Sequence, residues 1–290
     1  MNLLPSNSSL FIGATANLIL KGKAAILGCG YDGTTSFRPG TRRGPDGLRG
    51  VSDAGIETYS PAQDRDLEEI QFTDLGNLDL PCGAPEPVIE DLYQATREIL
   101  AKDAIPAIIG GEHSISPGPI LAAFEKYPDL AVVQFDAHAD LREEWNGNRN
   151  SHACAMRRVL DFLSQDRLLQ VGIRSGTREE FAEMKKGTRL VAANASSFAA
   201  AMKSKQLRGA PLYLTFDLDL FDPSLVSGTG TPEPGGISWQ TFEELRDVLE
   251  GENIIGFDIV ELAPTLDPSE NSSVVAAKLM RELLLTLPTR

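Results

Sequence analysis

The sequence predicts an α/β fold built on a central, mostly parallel β-sheet covered by helices on both faces. Two observations lead there. Short apolar runs alternate with amphipathic stretches from one end of the chain to the other, the pattern of strands joined by helical crossovers. Clusters of acidic and histidine residues also follow directly on apolar runs, and parallel sheets gather their ligand sites at the carboxyl ends of strands.

Six runs read as strands: KAAILG (23–28), IPAIIGG (105–111), LAVVQFD (130–136), RLLQVGI (167–173), APLYLTFDLD (210–219) and NIIGFDIVEL (253–262). Each is short, apolar and bounded by turn formers or charges. Pro87 to Lys102, Ser151 to Leu163, Gln240 to Leu249 and Ser272 to Leu287 read as amphipathic helices. Asp32 to Gly50 breaks the regularity, because its Gly, Pro and Arg residues do not sustain a continuous helix. Without an internal repeat, low-complexity tract or charged linker, residues 1–290 are expected to form a single domain.

Composition narrows the function classes. Of 290 residues 42% are apolar, enough for a sizeable core. Forty-one acidic against 27 basic residues give a net charge of -14, which repels nucleic-acid phosphates and favours small cations as partners. The N-terminal stretch up to Lys21 has no basic residue, and Ser, Thr and Asn interrupt its apolar residues. It reads as neither a signal peptide nor a membrane span. Cys29, Cys82 and Cys154 are odd in number and scattered, as expected of reduced thiols in a cytoplasmic protein.

One motif misleads. GCGYDG (28–33) matches a dinucleotide fingerprint, and Asp53 lies where a ribose-binding acid would. That reading needs a helix opening at the last glycine to receive a pyrophosphate. The chain continues instead as TTSFRPGTRRGP, which favours a turn-rich loop.

The ligand-grade residues follow three strands. FDAHAD (135–140) spaces Asp136, His138 and Asp140 at alternate positions, and TFDLD (215–219) does the same with Asp217 and Asp219. If the extended conformation persists, each set projects to one side. GGEHS (110–114) turns the end of another strand and delivers His113 to the same edge. A lone D-x-D is often only a cap or turn. Four carboxylates buried together without a cation, however, would cost several kcal/mol through repulsion and desolvation. Four carboxylates and two imidazoles without cysteine form a hard donor set that suits Mn²⁺ better than structural Zn²⁺. If Asp136 and Asp217 both bridge, two divalent ions share the set, and the expected chemistry is attack by metal-activated water on a poor electrophile.

At this point the residues resemble the ureohydrolases, the binuclear manganese family of arginase and agmatinase. GGEHS (110–114), FDAHADL (135–141), SHACAMRR (151–158), TFDLDLFDPS (215–224), GTGTPEPGG (228–236) and FDIVELAP (257–264) occur in the family's order, and FRPGTRRGP (37–45) resembles its N-terminal motif. The resemblance implies a three-layer arginase-like α/β/α fold. It places one manganese on His113, Asp136, Asp140 and Asp217, and the other on His138, Asp136, Asp217 and Asp219. It makes Glu261 the carboxylate that pairs with a guanidinium and gives the backbone at Thr229 a share in orienting that cation. His152 becomes the acid/base residue that protonates the departing amine. Glu112 stands where many members carry Asp, at a position that is not a ligand in the family. Self-association as a trimer or hexamer is implied by the same likeness.

The substrate is read from loops. LREEWNGNRN (141–150) looks more like agmatinase than arginase, as does GTGTPEPGG. Glu143 and Glu144 are candidates to meet a terminal ammonium, and solvated loop acids are the plainer account of them. The expectation is hydrolysis of agmatine to putrescine and urea. Guanidinobutyrate, guanidine and arginine are the competing substrates. A deacetylase-like amide hydrolase would share the fold but use one zinc.

Overall fold

The computed structural model describes residues 1–4, 10–16, 18–187 and 189–288. In chain order its elements are β1 (Thr15–Ala16), β2 (Ala24–Cys29), α1 (Gly44–Gly55), β3 (Tyr59–Ser60), β4 (Arg65–Asp66), β5 (Phe72–Asn77), α2 (Pro85–Ala101), β6 (Ile105–Gly110), α3 (Pro117–Lys126), β7 (Ala131–Phe135), α4 (Ala155–Val159), β8 (Leu168–Val171), α5 (Arg178–Lys186), β9 (Leu190–Val191), α6 (Ala195–Met202), β10 (Leu212–Asp217), α7 (Trp239–Val248), β11 (Ile254–Val260) and α8 (Asn271–Thr286). Strands β3 and β4 form a small antiparallel pair. The other nine make one sheet in the order β1-β5-β2-β6-β11-β10-β7-β8-β9, with every pairing parallel.

Side-chain alternation along the strands divides the core into two layers. Ile26, Ala107, Val133, Leu214 and Ile259 join a cluster with Leu48 of α1, Phe198 of α6, Phe242 of α7 and much of α8. Their neighbours in sequence join clusters on the other face: Leu27 and Ile108 with Val88 and Leu92 of α2, Val132 and Tyr213 with α3, α4 and Met184 of α5. A sheet covered on both faces needs apolar residues at every position, which explains why its central strands read as unbroken apolar runs.

Consecutive strands β6 and β7 are not neighbours, because β11 and β10 lie between them. Chain order reverses there, and open parallel sheets bind their ligands at the carboxyl ends of the strands at such a point.

All six expected strands are present, but the two-residue β1 and β9 of the sheet and the six-residue β5 were not among them. FTDLGN dilutes its apolar residues with Asp74, Gly76 and Asn77, and Asp74 is nevertheless fully buried. Arg49 of α1 makes this tolerable: Nε and Nη2 donate to the two Asp74 oxygens at 2.7 and 2.8 Å, and Asp74 also accepts the N–H groups of Phe11 and Gly76. The segment 32–50 is not wholly irregular either. Helix α1 begins at Gly44 with Pro45 in its first turn, where proline's missing N–H costs nothing. Expected helix 151–163 shrinks to a 3-10 turn at His152–Cys154 and the short α4. No helix opens at Gly33, and Asp53 lies exposed on α1, so the fingerprint at 28–33 has no dinucleotide geometry. Cys29, Cys82 and Cys154 are all free, and no helix among the described residues is long and apolar enough to cross a membrane.

Replacing Arg49 by Ala would strand the Asp74 charge in the core. The expected loss is about 3–5 kcal/mol of unfolding free energy, measured by urea denaturation. A loss below about 1 kcal/mol, the scale of a surface ion pair, would show that Arg49 is not what keeps Asp74 buried.

Candidate metal centre

Strand register assembles this site. Phe135 of β7 pairs with Phe216 of β10, and their rings stack 4.3 Å apart. The next residue after each is an aspartate, so Asp136 and Asp217 arrive side by side. Ile109 of β6 lies opposite Ile259 of β11, which brings His113 and Glu261 to the same edge. The turn into His113 depends on Gly111: a Cβ there would stand 1.9 Å from the Tyr31 carbonyl oxygen.

His113 Nδ1 lies 3.0 Å from Asp136 Oδ2, 3.0 Å from Asp140 Oδ2 and 3.4 Å from Asp217 Oδ2. Its Nε2 is 2.9 Å from Thr215 Oγ1, and the Thr215 hydroxyl donates to Asp258 Oδ1 at 2.6 Å. That hydroxyl has one proton, so it accepts from Nε2–H, and in the neutral ring Nδ1 is then a bare acceptor. It is buried, makes no hydrogen bond and faces three carboxylate oxygens. Such an arrangement calls for a cation at its centre.

A second group shares Asp136. Its Oδ1 lies 3.8 Å from His138 Nδ1, which is 2.8 Å from Asp219 Oδ2. Asp136 therefore presents one oxygen to each histidine, as a bridging carboxylate would. Asp219 Oδ2 is also buried without a hydrogen-bond partner. His113, Asp136 and Asp140 on one side, and Asp136, His138 and Asp219 on the other, are each close enough to hold one ion. Asp217 turns Oδ2 toward the first group, while its Oδ1 accepts the Asp219 N–H at 2.8 Å.

Electrostatics agree with this geometry. Burial, with the charges of Asp219 and Asp140, pushes the Asp136 carboxyl up to about 7. Burial with Asp219 and Asp136 lifts Asp217 well above the usual carboxylate range. Burial alone would lower His138, yet Asp219, Asp136 and Asp140 raise it to about 11. His113, likewise lowered by burial, is lifted well above its ordinary value by the adjacent carboxylates of Asp136, Asp140 and Asp217. Protons are retained where divalent ions would otherwise balance the charge. With oxygen and imidazole donors and no thiolate, the set fits Mn²⁺ chemistry.

The ligands do not converge by strand alternation. Strand β7 ends at Phe135, and Asp140 adopts a left-handed φ of 52°. Asp136 Oδ1 accepts the His138 N–H at 2.5 Å, and Asp217 does the same for Asp219 at the start of a 3-10 turn. Tight carboxylate-to-backbone turns aim the later ligands. Behind them, Gln134 Nε2 donates to Asp136 Oδ2 at 2.7 Å, and Gln170 Nε2 donates to Gln134 Oε1 at 2.7 Å. Sequence reasoning missed this pair, although a glutamine in each of two apolar strand runs was a readable signal.

Glu261 is buried and holds a left-handed φ of 67°, a strained state for a residue with a side chain. Its N–H donates to the Gly111 carbonyl, and its Oε1 accepts the His113 N–H, both at 2.8 Å. Burial, reinforced by the nearby Glu112 charge, pushes its carboxyl well above the usual range, so a cationic partner would be strongly favoured. Thr229 is buried, and its carbonyl accepts from Arg38, which also donates to the carbonyls of Ser227 and Gly230. Arg38 was not singled out from sequence.

His152 is half-buried on a 3-10 turn that packs against the turn carrying His113. It is held by Thr34 and Ser36, from the loop that sequence reading treated as structural. The acidic pair at 143–144 fares differently. Glu143 lies 3.3 Å from Arg157 Nε and 3.2 Å from Arg158 Nη2, so its charge is already matched, and it does not offer an unpaired carboxylate to an ammonium. Glu144 is exposed.

Comparison with known proteins accounts for this arrangement. The family model described as the arginase family matches residues 22–286. An agmatinase of Halalkalibacterium halodurans is 41% identical over 272 residues, covering 91% of this chain and 92% of that protein. A guanidinobutyrase of Pseudomonas aeruginosa is 32% identical over 277 residues, covering 91% and 86%. The crystal structure of the agmatine ureohydrolase of Thermoplasma volcanium superposes with a TM-score of 0.83 at 30% identity, covering 96% of this chain and 94% of that one. A parallel sheet whose central strand ends gather His113, His138 and four aspartates, matched over nearly its whole length by such relatives, places this chain in the arginase family.

Proposed function

We propose that this protein is a binuclear manganese ureohydrolase that converts agmatine to putrescine and urea, with residues 1–290 acting as one domain. The carrying observation is the shared Asp136, with one oxygen toward each histidine of a buried cluster in which His113 Nδ1 and Asp219 Oδ2 lack partners. His113, Asp136, Asp140 and Asp217 would hold one manganese ion, and His138, Asp136, Asp217 and Asp219 the other. When bound, such a pair lowers the pKa of water from about 15.7 toward about 7 and stabilises charge that develops in the transition state.

The remaining steps fall to side chains of this chain. Glu261, buried with its Oε1 accepting the His113 N–H, binds the guanidinium through paired hydrogen bonds. The backbone at Thr229, steadied by Arg38, fixes the angle of that planar cation. His152 gives a proton to the nitrogen that leaves as the amine. Of the two loop acids, Glu144 is the one left to attract the ammonium tail of agmatine, since Glu143 is paired with arginines. The net charge of -14 suits a small cationic substrate. Trimeric or hexameric assembly and a cytoplasmic location belong to this reading through family likeness alone.

Urea release from agmatine, arginine, guanidinobutyrate and guanidine, each with manganese and with chelator, tests the substrate. Agmatine should have the largest kcat/KM, and chelator should abolish turnover. A preference for guanidinobutyrate would mean that the loop arginines read a carboxylate tail instead. Elemental analysis should find two manganese ions per chain, and Asp136→Ala should lose both together with activity. One zinc per chain would point to the deacetylase-like alternative. His152→Asn should retain both ions while kcat falls about 10²–10⁴-fold; an unchanged kcat would remove His152 from the reaction.

A further inference from the structure

Apart from Arg38, the loop at residues 32–42 has no role in the proposed reaction, yet two of its side chains reach His152. Thr34 Oγ1 accepts the His152 backbone N–H at 3.0 Å and lies 3.2 Å from His152 Nδ1. The same hydroxyl is 2.5 Å from Glu112 Oε1. Glu112 is fully buried and receives the Thr34 N–H at 2.9 Å, the Thr35 hydroxyl at 3.2 Å and the Ser114 hydroxyl at 2.6 Å. Every group directed at Glu112 is a donor, so both its oxygens act as acceptors.

We infer that Glu112 and Thr34 are positioning residues that fix the tautomer and orientation of His152. A threonine hydroxyl has one proton and two lone pairs. Glu112 takes the proton, and the His152 backbone N–H fills one lone pair. The other is left to accept from Nδ1, so the neutral ring carries its hydrogen on Nδ1 and leaves Nε2 as the atom that exchanges protons. Ser36 Oγ lies 3.3 Å from Nε2, in a place to pass a proton or be displaced by substrate. Ser151 Oγ, 3.3 Å from Nδ1, is the one other side chain in reach of that nitrogen among the described residues. This carboxylate–hydroxyl–imidazole order does for His152 what a buried carboxylate does for a catalytic histidine directly. It would also give position 112 a function although that residue is no metal ligand.

The inference rests on His152 acting as the proton donor, and the experiment separates the two claims. Thr34→Val should lower kcat about 10²-fold, the scale of a small misplacement of a catalytic group, with KM and bound manganese unchanged. Thr34→Ser should restore most of the rate, and in a His152→Asn background Thr34→Val should have no further effect. Where His152→Asn lowers kcat, full activity of Thr34→Val, or a loss that adds to that of His152→Asn, would overturn the inference. Nitrogen-15 NMR of the metal-free protein reads the tautomer without turnover, with the His152 signals identified by their loss in His152→Asn. Nδ1–H in the parent chain that becomes mixed in Thr34→Val supports the positioning role even if His152→Asn turns over normally. The same spectrum in both proteins would end it.

Discussion

The constraint on which the rest of this structure depends is mutual repulsion among carboxylates that the fold forces together. Asp136, Asp140, Asp217 and Asp219 are all buried at one edge of the sheet, with Glu112 and Glu261 buried nearby. Ordinary folding would scatter such groups, because each charge taken out of water costs several kcal/mol unless paired. Here the raised pKa values of Asp136, Asp217 and Glu261, and the proton-holding histidines, show the strain of keeping them together. In the proposed function cations would relieve it: divalent ions between the histidines and aspartates, and a guanidinium at Glu261. Binding of metal and substrate would then complete an electrostatic balance that the protein leaves open.

Much of the surrounding architecture serves to hold that unfavourable arrangement in place. Three central strands, β6, β7 and β10, supply the candidate ligands and β11 supplies Glu261, at the point where chain order reverses. Behind the first ring of donors stand buried groups with fixed roles. Thr215 and Asp258 orient His113, and Gln170 and Gln134 support Asp136. Register explains the pairing, since Thr215 lies opposite Asp258 and Gln134 opposite Gln170 in adjacent strands. Partners of this kind orient metal ligands and tune their basicity.

The loop at 32–42 adds a second kind of support. Asp32 anchors it by accepting from Arg42 and from the Gly40 backbone. From that base Arg38 pins the segment around Thr229, and Thr34 with Ser36 flank His152. This loop, which runs on from the glycine fingerprint at 28–33, joins Glu112, His152 and Thr229, three parts of the site that are far apart in sequence.

The sequence by itself determined the fold class and the six candidate ligands. Apolar runs report burial on both faces of a sheet, and clustered Asp and His residues at the ends of those runs are legible because they contradict the chemistry of a core. β5 escaped notice because its buried Asp74 looks like a surface residue until Arg49 is placed beside it. Only the tertiary structure decided how the ligands converge, since tight turns rather than strand alternation aim Asp140 and Asp219. It also decided that Glu143 faces arginines, and that Glu112, Thr34 and Arg38 belong to the site. The physical reason is range: periodicity records what a residue does within its own element, whereas Thr34 and His152, 118 positions apart, meet only once the sheet has formed.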